Sequence, residues 1–260
     1  MEEYKYLVGN IIRNGERRPN RTGIDTISCF GKFLQHDMSK GLPILTTKKI
    51  NIKACIHELL WFLSGDTNIK YLNDNGVHIW DAWADKNGDL GPVYGKQWVD
   101  CDGINQVQQV IDEIKNNPYS RRLIINAWNP RDLDKMALPP CHILYQFYAK
   151  PETKQLSLIV YMRSADMFLG VPFDIAEGGL LLSLVAKVTG YIPDKLKYYF
   201  GDAHIYINHL DIIRKQILHS CYALPTLELP FKESIFDYTY EDFSIIGYKS
   251  HGYMKGEVAI

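Results

Sequence analysis

The stretch that most constrains the fold is Leu138-Pro139-Pro140-Cys141-His142, which runs on as Ile143-Leu144-Tyr145-Gln146-Phe147-Tyr148. Proline cannot donate to a sheet ladder, so the pair marks the place where a strand begins. The apolar, aromatic run behind it reads as that strand, buried. A cysteine is thereby fixed at the mouth of a core strand, where loops braced by a rigid sheet often carry chemistry. The plain alternative is a small buried hydrophobe, the commonest fate of a free cysteine. Downstream, Tyr161-Met162-Arg163-Ser164-Ala165-Asp166 supplies a guanidinium. A cation beside a thiol favours the thiolate, which is the nucleophilic form. The pattern predicts a nucleophilic Cys141 in an anion-binding pocket.

The 260 residues show no repeat, low-complexity linker or break in composition, so 1–260 reads as a single domain. Five cysteines without C-x-x-C spacing predict reduced cytosolic thiols and no metal site. No leader-like segment and no long apolar run is present, which predicts a soluble, cytoplasmic protein without membrane contact. The net charge of −1 supplies no general attraction to nucleic acid. Aromatics among scattered arginines could still stack bases, which keeps a nucleic-acid-binding module as the non-enzyme alternative.

Along the chain, Tyr4, Leu7, Val8, Ile11 and Ile12 mark a helix that Gly15 ends. Arg17 to Gly23 is a basic turn whose Arg21 could clamp a phosphate. Ile24 to Gln35 reads as a strand or hairpin. Ile52 to Gly65 is a strongly apolar helix, and Glu58 inside it suggests a pocket-lining acid of raised pKa. Tyr71 to Asp81 reads as a short helix and its exit. Tryptophans and glycines interleave from Ile79 to Trp98, which predicts neither a regular helix nor a strand, but faces suited to a flat ligand. An amphipathic helix follows over Val107–Lys115. Arg121 and Arg122 then open a strand through Trp128 and are a second possible phosphate contact. Asp174 and Glu177 make a D-x-x-E capping pattern ahead of an apolar helix over Leu180–Val188. Gly178 and Gly179, read as its first turn, suggest close approach of backbone or ligand. His204-Ile205-Tyr206 places two hydrogen-bonding side chains on one strand face, ahead of a helix over Leu210–Leu218. The apolar tail Gly256–Ile260 could close over a pocket.

Taken together, these segments resemble the thymidylate synthase family over essentially the whole chain. The resemblance rests on Arg21-Thr22-Gly23, His57 to Phe62, Ile79-Trp80-Asp81, Gly91 to Trp98, Ser120-Arg121-Arg122, Pro140-Cys141-His142, Arg163-Ser164, Gly201 to Tyr206 and Val258-Ala259-Ile260, in family order. It implies an α+β fold with a large twisted mixed sheet flanked by helices, paired sheet to sheet in a homodimer. It also implies one-carbon transfer to C5 of a pyrimidine nucleoside monophosphate, with 5,10-methylenetetrahydrofolate as co-substrate and no metal. Cys141 would add to pyrimidine C6. Glu58 and Tyr94 would sit in the proton-transfer network. Arg21, Arg163 and Ser164 would hold the phosphate, with Arg121 and Arg122 from the partner subunit, and His204 and Tyr206 would bind the sugar. Asn51, Ile79, Trp80, Asp166, Leu169, Gly170, Phe173 and Ala259 would face the folate, Asp166 also adjoining the nucleotide.

Three positions depart from the family pattern. Asp174 replaces an asparagine, Glu177-Gly178 replaces Ser-Tyr, and Asn51 replaces a histidine. Uracil offers an N3–H donor and an O4 acceptor, whereas cytosine offers an N3 acceptor and a 4-amino donor. A carboxyl group accepts from that amine and, when protonated, donates to N3. Asp174 therefore resembles the deoxycytidylate hydroxymethylases encoded by phages that modify their DNA, and predicts dCMP as substrate with a hydroxymethyl product. Reductive methylation of dUMP, as in thymidylate synthase itself, is the runner-up, favoured by Trp80 and the tail. Methylation of dCMP comes third.

Overall fold

The computed structural model describes residues 1–259. Ile260, the last residue of the predicted closing tail, lies outside the described residues. The chain opens with α1 (Glu2–Asn14), a short β1 (Glu16–Arg18) and a long β2 (Thr26–Asp37). Four helices follow: α2 (Ile52–Ser64), α3 (Lys70–Asp74), α4 (Tyr94–Val99) and α5 (Gln106–Asn116). Then come β3 (Ile124–Asn126), β4 (His142–Lys150), β5 (Gln155–Asp166), α6 (Gly170–Thr189), β6 (Ile192–Tyr206) and α7 (Leu210–Leu218). A two-stranded ribbon, β7 (Thr226–Glu228) with β8 (Ser244–Ile246), precedes the C-terminal segment.

The main sheet has the order β1-β2-β6-β5-β4-β3. Its one parallel pair, β5 with β6, is joined by α6, because parallel neighbours need a crossover and a helix is the compact one. The other neighbours run antiparallel. This is the mixed sheet flanked by helices that the family resemblance implies.

Alternation along the strands gives the sheet two unlike faces. The row Leu34, Tyr198, Val160, Tyr145 and Ile125 crosses five strands in register, and every member is buried. One step along, Phe33, Tyr199 and Tyr161 form an exposed row, with the Phe33 and Tyr199 rings 4.8 Å apart. The inner face packs against α6, which is apolar almost all round and accordingly buried, and α2 packs on α6 in turn. The tip of α2 is set by sequence: Asn51 Oδ1 accepts the Ala54 N–H at 3.2 Å, and Gly65 ends the helix in the left-handed region.

Three expectations need correction. The Trp/Gly segment does hold a regular element, because Tyr94–Val99 winds into α4 once Pro92 is passed. The helix expected from Tyr71 is only α3, ending at Asp74. Most consequentially, α6 starts at Gly170, not after Glu177. Pro172 falls in its first turn, where a missing N–H costs nothing. Asp174 is thus inside the helix rather than its cap, and Gly178 and Gly179 lie in its middle. The close approach they suggest is real: a β-carbon at Gly178 would collide with Tyr198 Oη, and one at Gly179 would lie 2.7 Å from Pro43 Cδ. Through the gap at Gly178, the Tyr198 hydroxyl donates to the Asp174 carbonyl.

Candidate active site

Cys141 stands one residue ahead of β4, and its peptide is held from both sides. Its N–H donates to Tyr94 Oη at 2.7 Å, and its carbonyl accepts the Arg163 N–H at 2.8 Å. Arg163 then reaches back across the loop, with Nε donating to Pro140 O at 2.7 Å and Nη2 to Pro139 O at 2.9 Å. The proline pair thus offers two carbonyls in a fixed geometry. A guanidinium carries five N–H donors, so three remain for an anion. The register of β4 against β5 slips between His142 and Leu144, as happens often where a side chain is re-aimed beside a site.

The expected thiolate needs correction. Burial pushes the Cys141 thiol up to about 11; Arg163 and Arg21 pull it down, and Asp174 and Asp166 push it further up. Burial outweighs the guanidinium, so without a nucleotide Cys141 is a thiol at neutral pH.

Around the thiol lie acids that have no lysine or arginine partner among the described residues. Glu58, in the middle of α2, is 8% exposed, and the Trp80 Nε1–H donates to its Oε1 at 2.6 Å. Burial raises its pKa against hydrogen bonds with Glu177 and Trp80 that lower it, which agrees with the acid expected there. The Asp174 side chain, 15% exposed, points Oδ1 at His142 Nε2, 3.7 Å away. Burial first, then the charges of Glu58 and Asp166, raise Asp174 to about 8. Burial also lowers His142 to about 3, so the imidazole is neutral and the 3.7 Å contact is not an ion pair. The His142 ring stacks on Tyr94 with centroids 4.3 Å apart, and its Nδ1 meets the Tyr145 hydroxyl. His142, Asp174, Glu177 and Tyr198 line a small cavity with room for about one water molecule.

Other predicted residues gather at the same end of the sheet. His204 and Tyr206, at the end of β6, meet edge to face with centroids 5.3 Å apart. His204 Nδ1 is 3.3 Å from Asp202 Oδ1, and that hydrogen bond leads the lowering of the Asp202 pKa against burial. Ser164 pairs in register with Asp202. Arg21 is exposed on the loop before β2, close enough to act on the thiol. Asp166 Oδ1 accepts the N–H groups of Phe168 at 2.8 Å and Leu169 at 3.3 Å, which turns the chain from β5 into α6. Leu169, the residue ahead of α6, and Phe173 near its start are half-buried, as is Ile79. Gly170, between them, lies where a β-carbon would sit 3.5 Å from Asp174 Oδ2. The tail is pinned nearby. His209 Nε2 meets the Glu257 carbonyl at 2.9 Å, and Gly256 lies so close to Phe168 that a β-carbon would come within 2.7 Å of the ring. Ala259 beyond it is half-buried.

Arg121 and Arg122 are expected to serve the partner subunit's site, and Asn51 to face the folate. Arg121 and Arg122 are exposed ahead of β3 and make no side-chain hydrogen bond or ion pair among the described residues. Asn51 uses its side chain as the α2 cap. Three residues of the site escaped the sequence reading. His142 alternates onto the inner face next to the cysteine, a placement legible only once the strand register is known. Lys48 is 4% exposed, donates to the Phe168 carbonyl, stands 3.9 Å over the Phe168 ring, and is lowered to about 8 by burial. Nothing in Thr46-Thr47-Lys48-Lys49 marks it out. Glu177 reads in the sequence as half of a capping pattern.

A half-buried thiol at a strand mouth, with arginines beside it and acids behind it, is a constellation of the kind that enzymes use. The family model described as thymidylate synthase matches residues 2–260, and the chain belongs to the thymidylate synthase family. That family comprises folate-dependent transferases that place a one-carbon unit on C5 of a pyrimidine nucleotide, with methylenetetrahydrofolate as co-substrate. Among the described residues, no helix is long and apolar enough to cross a membrane.

Proposed function

We propose that this chain converts dCMP to 5-hydroxymethyl-dCMP. The observation that carries the reading is Asp174: it caps nothing, it faces the site from inside α6, and it is raised to about 8. At neutral pH its carboxyl is mostly protonated. Against cytosine it donates to N3 and accepts from the 4-amino group. Because N3 is a basic ring nitrogen, the shared proton can move onto it and leave a charge-assisted, two-point pair. Uracil has no such nitrogen, so the same carboxyl makes only a neutral pair with O4 and N3–H.

In this reading Cys141 Sγ adds to C6, its proton passing to the site, and C5 becomes the nucleophile. The folate supplies the methylene carbon when bound. Glu58, steadied by Trp80, holds and returns protons at the pyrimidine. Tyr94 and Arg163 keep the Cys141 peptide in place, and Arg21, Arg163 and Ser164 hold the phosphate. His204 and Tyr206 take the sugar. Polar groups around a water-sized cavity favour water as the nucleophile that adds to the exocyclic methylene carbon and gives up a proton to the site, leaving hydroxymethyl on C5. The buried Trp80 and the pinned tail favour instead a site closed to water, with hydride transfer and dTMP from dUMP as the outcome. The exposed row Phe33, Tyr199 and Tyr161 supports a homodimer paired through this face, which would bring the otherwise unused Arg121 and Arg122 to a neighbouring phosphate.

The deciding experiment measures kcat/KM for dCMP and dUMP and weighs the products, in wild type and in Asp174→Asn. Wild type should prefer dCMP and yield a hydroxymethyl product, and the variant should shift the ratio towards dUMP by roughly 10²-fold or more, the worth of a charge-assisted pair over a mismatched one. A wild type that prefers dUMP, or an unchanged ratio in the variant, returns the chain to thymidylate synthesis.

A further inference from the structure

Tyr198 is a buried group of the inner sheet face to which the reaction above gives no part. It is 1% exposed, in the middle of β6, and lines the same small cavity as Asp174 and His142. Its ring is held by the sheet: it stands in the buried row between Leu34 and Val160, and it stacks on Phe200 with centroids 5.7 Å apart and planes 12° apart. Its hydroxyl donates to the main-chain carbonyl of Asp174. That carbonyl lies inside α6, where helix geometry already gives it the Gly178 N–H. A carbonyl oxygen has two lone pairs and takes both donors.

The bond depends on the residue one turn further along α6. A β-carbon at Gly178 would lie 2.2 Å from Tyr198 Oη and 3.2 Å from its Cζ, so any other residue there would push the hydroxyl away from the helix. One turn in the other direction, a β-carbon at Gly170 would already touch Asp174 Oδ2 at 3.5 Å, so a larger side chain would crowd the carboxyl. Glycine is among the weakest helix formers, and Gly170, Gly178 and Gly179 all fall in α6. The helix's own grip on this stretch is weak, and a tyrosine on the sheet supplies the hold it lacks.

We propose that Tyr198, admitted by the gap at Gly178, is a positioning residue: it locks the Asp174 turn of α6 to the sheet and so fixes the distance and angle at which the Asp174 carboxyl meets the pyrimidine base. The inference rests on Asp174 being the base-reading group, as above, but not on which base it reads.

The plain alternative is a core tyrosine whose hydroxyl simply finds a partner, as buried ones usually do. Two features favour the lock. The carbonyl has its helical donor already, so the bond answers no need of α6. It also requires a glycine in mid-helix, which weakens the helix, and a tyrosine on the facing strand, so the two positions work only as a pair. A two-point contact with a base tolerates little misplacement, because a hydrogen bond weakens steeply with angle and distance.

The test compares the full-length protein with Tyr198→Phe, Gly178→Ala, their double variant and a control, Tyr238→Phe. Tyr238 is likewise buried, and its hydroxyl also donates to a main-chain carbonyl, that of Pro230 at 2.8 Å, between β7 and β8. With kcat/KM measured for dCMP and dUMP, Tyr198→Phe and Gly178→Ala should each move the ratio at least about fivefold towards dUMP, and the control should stay within about twofold. The two effects should not add, because in the double variant the added methyl meets no hydroxyl. A second readout needs no substrate. With ¹³C at the aspartate carboxyls, Asp174 in Tyr198→Phe should ionise at least about half a pH unit lower, since a carboxyl free to turn outward is less desolvated. An unmoved Asp174 titration overturns the proposal whichever base is preferred. So does an unmoved ratio in an enzyme that prefers dCMP, an additive loss in the double variant, or a control that shifts the ratio as far. Where Gly178→Ala fails to fold, Tyr198→Phe, which takes away one oxygen and leaves the ring, decides alone. A wild type that prefers dUMP sinks the cytosine reading, and the lock then stands or falls on the Asp174 titration.

Discussion

The two ends of the main sheet hold the same kind of side chain in opposite states. At the end away from Cys141, Asp194 of β6 is 7% exposed, yet its pKa is lowered. Burial pushes it up, but Lys150 at 2.7 Å, Lys195 at 3.6 Å and Ser157 at 3.2 Å more than offset that. Asp37 is likewise lowered, first by its hydrogen bond with Lys195 at 2.7 Å. At the site end, Glu58, Asp174 and Glu177 are comparably covered but have no lysine or arginine partner among the described residues, and all three are raised. Burial alone does not decide the state of an acid; the cation beside it does. Paired acids tie strands together, while unpaired ones are held at a cost in stability and are therefore where chemistry is expected.

The largest effect should come from removing the nucleophile. Cys141→Ser should cut turnover by at least about 10⁴-fold, because a hydroxyl is a far poorer nucleophile than a thiol near neutral pH. Calorimetry should find nucleotide affinity almost unchanged. Lys150→Ala, at the paired end, should leave kcat within about twofold of wild type. If Cys141→Ser kept a tenth of the activity, or Lys150→Ala lost as much, the division between the two ends would fail.

A second effect follows from the titration of Asp174. The proton it shares with cytosine N3 is present while the carboxyl is neutral and is lost as pH rises through about 8. kcat/KM for dCMP should therefore fall about tenfold between pH 7 and pH 9. In Asp174→Asn, which has no proton to lose at this position, that limb should vanish from the profile measured with dUMP. A wild-type profile flat to pH 9 would separate Asp174 from the substrate.

Much of this contrast was legible before the structure. α2 and α7 follow from apolar spacing and from Gly65, and Glu58 stood out as a charge on an apolar stripe. Cys141 was marked by the proline pair. The start of α6 is hidden by local resemblance: Asp174 with Glu177 looks like a cap, because D-x-x-E at a helix start is the commoner use of those residues. Only tertiary packing shows that Glu177 lines the cavity it shares with Asp174 and His142. The state of the thiol is hidden in the sequence for a related reason. Sequence shows which charges are available, but burial depends on how the elements pack, and here burial outweighed the arginine.

Stability should invert between the ends. The folded pKa of Asp174, about 8, lies above its unfolded value, so folding must take up a proton once the unfolded chain ionises near pH 4. That cost grows as pH rises from about 4 to about 8 and then levels off. Asp174→Asn should accordingly stabilise the nucleotide-free protein by about 2–4 kcal/mol at pH 7, with the gain shrinking towards pH 4. Urea unfolding at a series of pH values would show it. A variant less stable than wild type at pH 7 would mean that Asp174 is satisfied in place by contacts an amide cannot keep.

The smallest effect should be at Asp194, and of the opposite sign. Its folded pKa is depressed, so the stability it contributes is complete above the unfolded aspartate value and is lost as pH falls through the folded one. The Lys150 side chain is 42% exposed and that of Lys195 is 31% exposed, so solvent screens the pairs and their removal is not the loss of a buried ion pair. An amide keeps the hydrogen bond from Ser157 but accepts more weakly from the ammonium groups. Asp194→Asn should therefore destabilise by about 1 kcal/mol at pH 7, the order of one charged hydrogen bond. The difference from wild type should fade in acid, and added salt should shrink it, since screening acts on exposed charges. Asp174→Asn should be insensitive to salt, because the term it removes is desolvation rather than attraction. Should both substitutions prove stabilising, Asp194 is held by burial against its lysines, and the two ends of the sheet differ in degree rather than in kind.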